Sequence, residues 1–297
     1  MGHDRLFKAV LESFLREFLE LFFPDVAARL DFATQRLLDK EFFTDFPEGR
    51  RREADVVAEL KTRAGAPEIV LVHVEVQARG EGDVPERMFQ YYSMLRLRYA
   101  TPVFPIVMYL RGGPSGEVAE YSEKLFGREL VRFRYAIVGL ARRVAQEYVE
   151  TSPLSAALSA LMRRGRATES LDLRARMLKC VVESELDQAR QYLLVNVIET
   201  YFRLGRRQRQ QFGKILARKE YAKVQDTELT WGDELLLEGA VRGKRETLKR
   251  QLTAKFGPLP NEAEARLDAI QSGEELDQYL DRVLVAESLE EVGLDDG

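Results

Sequence analysis

Asp55, Glu75 and Gln77 are the residues whose types and spacing best suit bond-breaking chemistry in this chain. Glu75 and Gln77 stand two apart, so on a strand they project from one face. Asp55 falls on what reads as the neighbouring strand. Two carboxylates on adjacent strands, with the Val76 carbonyl nearby, make the all-oxygen set that a hard dication takes. Mg²⁺ held there would lower the pKa of a bound water, orient it, and stabilise charge developing on a phosphoryl group. Gln77 is neutral, so it can position a water or a phosphate but supplies no positive charge. Lys61 lies at the far end of the first strand and serves only if the geometry bends that way. The alternative is a half-exposed hairpin whose polar residues face solvent, because Asp…Glu-x-Gln is a weak pattern by spacing alone.

The elements that must position these groups are legible in the periodicity. Residues 53–61 and 69–77 read as strands, and the turn-like stretch 63–68 joins them as a hairpin. In the second strand Val70, Val72, Val74 and Val76 alternate with Leu71, His73, Glu75 and Gln77. His73 therefore shares the face of Glu75, where a lone histidine is more often packed or hydrogen-bonded than a ligand. Residues 4–22 read as a helix, with Phe7, Leu11, Phe14, Phe18 and Leu21 on one side and Lys8, Glu12, Arg16 and Glu20 on the other. Glu12 is either an accessory carboxylate of the site or one rung of that charge ladder.

Asp83, Pro85 and Glu86 mark the start of a helix that runs to about Arg98. Its apolar stripe reads as Met88, Tyr92, Leu95 and Tyr99, with Arg87, Gln90, Tyr91 and Arg98 elsewhere. A strand over 103–110 follows, and another over 131–139, so the first half reads α-β-β-α-β-β. Beyond about residue 140 strand signals stop. Helical periods run over 170–204 and 233–255, and three short helices end near Glu291, the first opened by a capping box at Asn261 and Glu264. The fold class is α/β (α+β), with an all-α C-terminal region.

Charge narrows the partners. The 297 residues carry a net charge of −4. The first 150 residues hold 22 Lys and Arg against 24 Asp and Glu, leaving 23 against 25, so neither half is a polycation. Contact with DNA must come from local clusters. Arg50, Arg51 and Arg52 directly precede the Asp55 strand and suit phosphate binding, or form a solvated loop. Arg87 or Gln90 reaches a DNA phosphate or the site carboxylates, or else belongs to a polar helix face. Arg203, Arg206, Arg207, Arg209, Lys214, Arg218 and Lys219 make a second basic segment, facing a duplex or solvent. One cysteine, Cys180, and two histidines exclude a disulfide framework and a Cys/His-rich metal cluster. No apolar run approaches the roughly 20 residues that cross a bilayer, so the expectation is a cytoplasmic protein with no membrane partner. Gly239 to Arg245 has the wrong gap for a phosphate loop and no Ser or Thr after its lysine.

Five segments together carry a family resemblance: His3-Asp-Arg-Leu-Phe-Lys8, Glu53-Ala-Asp-Val-Val57, Val72-His-Val-Glu-Val-Gln77, Arg87-Met-Phe-Gln-Tyr-Tyr92 and Pro105-Ile-Val-Met-Tyr109. They resemble the PD-(D/E)XK nuclease superfamily, and more closely its recombination-promoting nuclease/putative transposase (Rpn) branch, over about residues 1–140. The stretches 248–260 and 276–289 resemble a small helical domain of unknown function often appended to that branch. The resemblance implies a restriction-endonuclease-like mixed sheet flanked by helices, and Mg²⁺- or Mn²⁺-dependent hydrolysis of DNA phosphodiesters linked to recombination or transposon-like elements. It implies Asp55 and Glu75 as metal ligands and Gln77 at the position of the motif lysine. Ala54 stands where the motif has proline, which is not a ligand. With the helical periods between them, three regions are expected: 1–140 nuclease-like, 141–232 helical, and 233–297 a small C-terminal helical domain. A double-strand break with one site per protomer would take a homodimer. The competing readings are a nuclease-like fold that binds DNA or a protein without cutting, and a structural protein whose helical half mediates self-association.

Overall fold

The computed structural model describes residues 3–38, 56–63, 69–77, 83–165, 167–270, 272–286 and 288–294. The chain divides into two compact units, Met1–Val224 and Gln225–Gly297. The sheet and the helices up to residue 216 all belong to the first unit.

In the first unit, α1 (His3–Phe22) and the short α2 (Pro24–Ala27) precede β1 (Leu30–Leu37), β2 (Val56–Thr62) and β3 (Ile69–Gln77). Then come α3 (Val84–Tyr99), β4 (Val103–Tyr109), β5 (Val118–Leu125) and β6 (Arg128–Gly139). Among the described residues these six strands form one mixed sheet in the order β1-β2-β3-β4-β6-β5. β1/β2, β2/β3 and β5/β6 are antiparallel; β3/β4 and β4/β6 are parallel. The parallel β3/β4 pair needs a crossover, and α3 supplies it.

Buried β3 is a near-continuous apolar run because it lies between β2 and β4 and is covered on its faces. Leu71 packs with Val57, Val107, Tyr109, Tyr135 and Ile137 beneath Val84, Met88, Tyr91 and Leu95 of α3. This corrects the stripe read from the sequence. Tyr91 is 2% exposed and belongs to the core, whereas Tyr92 and Tyr99 only flank it. The true row, Val84, Met88, Tyr91 and Leu95, keeps the three- and four-residue steps of a helix face. Asp83 is the N-cap residue as expected, yet its side chain makes no cap bond. Its carboxylate lies 3.4 Å from Arg87 instead.

Two strands escape the periodicity. β1 (Leu-Asp-Phe-Ala-Thr-Gln-Arg-Leu) is mostly half-exposed, and its register rests on polar contacts. Arg36 pairs with Glu59 at 3.1 Å, and the Lys61 N–H donates to Thr34 Oγ1 at 3.0 Å. β5 is exposed along nearly its whole length and exists because β6 pairs with it. The loop joining these two is Phe126-Gly127, with both φ angles positive, +50° and +76°. That is the pattern of a tight hairpin turn, which normally takes Asn-Gly. A phenylalanine held there, 93% exposed, is strained without compensating burial. Phe126→Asn is therefore expected to raise stability by roughly 1 kcal/mol, read as a higher urea midpoint at unchanged slope. An unchanged or lower midpoint refutes the strain.

Behind the sheet, α4 (Pro153–Leu158), α5 (Ala167–Val182), α6 (Gln188–Tyr201) and α7 (Arg206–Leu216) pack together and onto α1. The helical period over 170–204 is two helices, not one; Asp187 caps the second by accepting the Arg190 N–H at 2.9 Å. Helix α1 is kinked at Phe14 (φ −133°). Arg190 donates to the Ser13 carbonyl at 2.9 Å and pairs with Glu17 at 2.5 Å, inserting a side chain into the helix ladder there. Arg16 pairs with Glu20, and Glu12 is half-buried.

Helix α8 (Ala222–Phe256) includes Gly239 to Arg245, which is helical and not a phosphate loop. In the second unit, α9 (Asn261–Ala269), α10 (Gly273–Val285) and α11 (Leu289–Val292) enclose a core of Leu248, Leu252, Leu267, Leu276 and Val283. Asn261 is the first residue of α9, and Pro260, not Asn261, stands at the N-cap. Ser272 and Ser288 cap the next two helices. Among the described residues no helix is long and apolar enough to cross a membrane.

Candidate active site

Glu75 and Gln77 lie at the carboxyl end of β3, in register with Val107 and Tyr109 of β4. In open sheets with parallel strands this end is where ligands bind. The chain leaving β3 returns as α3, whose first turns stand over the same end. Arg87, one turn into α3, thereby reaches back to β3. Its Nη2 lies 3.4 Å from Glu75 Oε1, and its Nη1 lies 3.4 Å from Asp83 Oδ2.

The polar face of β3 is not a solvent face. His73, Glu75 and Gln77 are 0%, 5% and 7% exposed. Helix α3 closes over them: the Tyr91 ring meets the His73 ring edge-on at 5.3 Å. The half-exposed hairpin considered as the alternative is thus excluded for these residues. A carboxylate in such a place needs partners on both oxygens. Glu75 Oε1 has two, because it accepts from Gln77 Nε2 at 3.2 Å and faces Arg87. Glu75 Oε2 is buried and accepts no hydrogen bond among the described residues. His73 Nε2 lies 3.7 Å from it, beyond hydrogen-bond reach, and neither ring nitrogen of His73 has a hydrogen-bond partner among the described residues. The arrangement leaves one buried carboxylate oxygen open to a cation, which fits a hard divalent ion.

Asp55, Arg50, Arg51 and Arg52 lie outside the described residues. Val56, the first described residue of β2, stands opposite Val74. Val76 sits between Glu75 and Gln77, paired with Met108. Gln90 donates to Glu86 Oε1 at 3.2 Å on the helix surface. Lys61 stands opposite Ile69, at the other end of the hairpin from Glu75, so it does not serve the site. Among the described residues no three His, Cys, Asp or Glu side chains come together as a metal group.

Tyr109 and Tyr135 were missed as site residues. They are 2% exposed and belong to the same core cluster. The strand patterns would have found them, since each follows alternate apolar residues. Gly113 lets the Tyr109 ring lie against its loop: a Cβ there would come within 2.5 Å of Tyr109 Cγ, and φ is +81°. Burial pushes both phenols above their ordinary value of 10.0. The unfolded chain loses these protons first as pH rises, so the folded state then binds more protons and stability falls. Stability from this pair is complete below pH 10 and is lost above it. Tyr109→Phe/Tyr135→Phe is expected to flatten alkaline unfolding followed by circular dichroism, and an unchanged profile refutes the assignment.

No family model, no curated protein and no solved structure matches the chain.

Proposed function

We propose that this chain is a metal-dependent DNA endonuclease with a restriction-endonuclease-like core, of the PD-(D/E)XK superfamily and its recombination-promoting (Rpn) branch. The observation that carries the reading is the buried Glu75 carboxylate with one oxygen held and the other without a hydrogen bond among the described residues. Asp55 directly precedes Val56, which stands opposite Val74. Asp55, Glu75 and the Val76 carbonyl are the proposed ligands of Mg²⁺ or Mn²⁺. When bound, such an ion supplies charge neutralisation and a water of lowered pKa.

The chain's own residues do the rest. Arg87 and Gln77 fix Oε1, which aims Oε2 as the free donor. Gln77, with its amide between the carboxylate and the strand end, positions a water or a phosphate oxygen. Tyr91 and His73 exclude solvent from behind Glu75 and keep the local dielectric low. Arg50, Arg51, Arg52 and Arg87 are proposed phosphate contacts. The products would be 5′-phosphate and 3′-hydroxyl ends.

A second reading is favoured by Arg87. A resident guanidinium 3.4 Å from Glu75 already offsets its charge, as a DNA-binding protein without a metal would require. Nicking of supercoiled plasmid under Mg²⁺ and Mn²⁺ separates the two, with Asp55→Ala and Glu75→Gln as controls. Cutting lost in both variants supports the endonuclease. Cutting that is absent, or equal in all three proteins, overturns it.

A further inference from the structure

We propose that the outer face of α7 is a docking surface for duplex DNA, separate from the candidate active site. The helix is strongly two-sided. Phe212, Ile215 and Leu216 are buried, and α7 packs on α5. Arg206, Arg207, Arg209, Gln210, Gln211 and Lys214 are exposed; 3.6-residue periodicity places Arg206, Arg207, Gln210 and Lys214 on the opposite arc, with Arg209 and Gln211 at its edges. From Tyr201 to Lys219 there is no Asp or Glu.

Several other exposed arginines are matched: Arg16 with Glu20, Arg36 with Glu59, Arg132 with Glu129, Arg176 with Glu150, Arg218 with Asp172. Arg206, Arg207, Arg209 and Lys214 face no carboxylate among the described residues. A chain of net charge −4 that leaves four cations unmatched on one short helix concentrates positive potential there. Gly213 lies within the same arc, where a Cβ would meet nothing within 4 Å. Internal packing therefore does not call for glycine, which weakens an exposed helix. Its absent side chain opens the arc to close approach of another surface.

The chemistry of the arc selects the polymer. A membrane-surface helix inserts its apolar face, but here that face is buried in the core. Single-stranded nucleic acid is held by stacking on aromatic rings, and the arc has none. Double-stranded RNA hides its major groove from side chains. A helix presenting Arg, Lys and Gln alone matches the phosphates and base edges of a B-form major groove, where Arg pairs with guanine and Gln with adenine. The inference rests on the proposed function only in taking DNA as the polymer.

The test is retention of a fluorescein-labelled linear duplex by the full chain in EDTA, over a potassium chloride series, so that no cutting is involved. Arg206→Gln/Arg207→Gln/Arg209→Gln/Lys214→Gln keeps residues that favour helix. It is expected to bind at least tenfold more weakly, and to lower the slope of log affinity against log salt by about 3 to 4. Circular dichroism and the melting temperature should match wild type. Gly213→Ala is a second variant, expected to raise the melting temperature and weaken binding. Duplex binding by the quadruple variant equal to wild type overturns the inference. So does wild-type binding to phosphatidylserine vesicles or polyglutamate in place of duplex, or equal affinity for double-stranded RNA. A wild type that retains duplex through α7 but never cuts sustains this surface and sinks the endonuclease. Cutting with unchanged KM in the quadruple variant does the reverse.

Discussion

Glu75→Gln is expected to reduce Mg²⁺- or Mn²⁺-dependent nicking by about a thousandfold or more, with little change in folding. A ligated dication contributes several kcal/mol of transition-state stabilisation, and each 1.36 kcal/mol is about tenfold in rate. Glutamine keeps the shape of the side chain and an oxygen that can accept from Gln77 and Arg87, so the buried cluster stays filled. It removes the negative charge that a dication requires. Glu75→Ala is expected to differ. It leaves Arg87, only 13% exposed in its side chain, without its buried partner and opens a void at the end of β3. Its lost activity would therefore come with a lower melting temperature. Mn²⁺ titration by calorimetry gives the readout independent of turnover: binding in wild type, none in Glu75→Gln. Equal Mn²⁺ affinity in the two proteins would take Glu75 out of the metal site.

Arg174→Met should lower stability by about 1–3 kcal/mol, less than for a fully buried ion pair because Glu199, 33% exposed in its side chain, can be rehydrated. Arg174 is 3% exposed on α5. Its guanidinium donates to the Phe202 carbonyl and pairs with Glu199 of α6, and it lies 5.1 Å from the centre of the Phe212 ring of α7. One side chain thus ties three helices. Burial already pushes the Glu199 carboxyl above its ordinary value, and Arg174 pulls it back. Without Arg174 it rises further. A carboxyl raised in the folded state stabilises when protonated, so the deficit should be greatest at neutral pH. It should shrink as pH falls toward 4.5. Adding Glu199→Leu should restore much of the stability, because two apolar residues leave no stranded charge. Urea midpoints of the two single variants and the double variant measure this. Additive losses would show that the pair is not coupled.

Much of the frame was legible because its residues lie on buried faces with regular periods. β3 was read with its observed ends, since a run of valines between polar turns has few alternatives. The helix after it was also read correctly in place, from the cap and proline near Asp83. Its buried row was misread, because Tyr91 and Tyr92 are adjacent aromatics and only the neighbouring strands decide which one faces inward. β1 and β5 were illegible for a related reason. An edge strand with an exposed face carries no apolar alternation, and its backbone pairing is invisible in side-chain pattern.

For the site, residue types alone determined that Glu75 and Gln77 share a face and that a carboxylate stands near the end of a central strand. That follows from the two-residue repeat of an extended chain. Only the tertiary structure decided that α3 closes over this face, that Arg87 and Gln77 share one oxygen, and that the other is left without a partner. Those facts depend on where a crossover helix returns, which local periodicity does not encode. The same division holds for α7: its basic composition was plain in the chain, but the burial of its apolar side, which frees only the charged arc, required the packed helices.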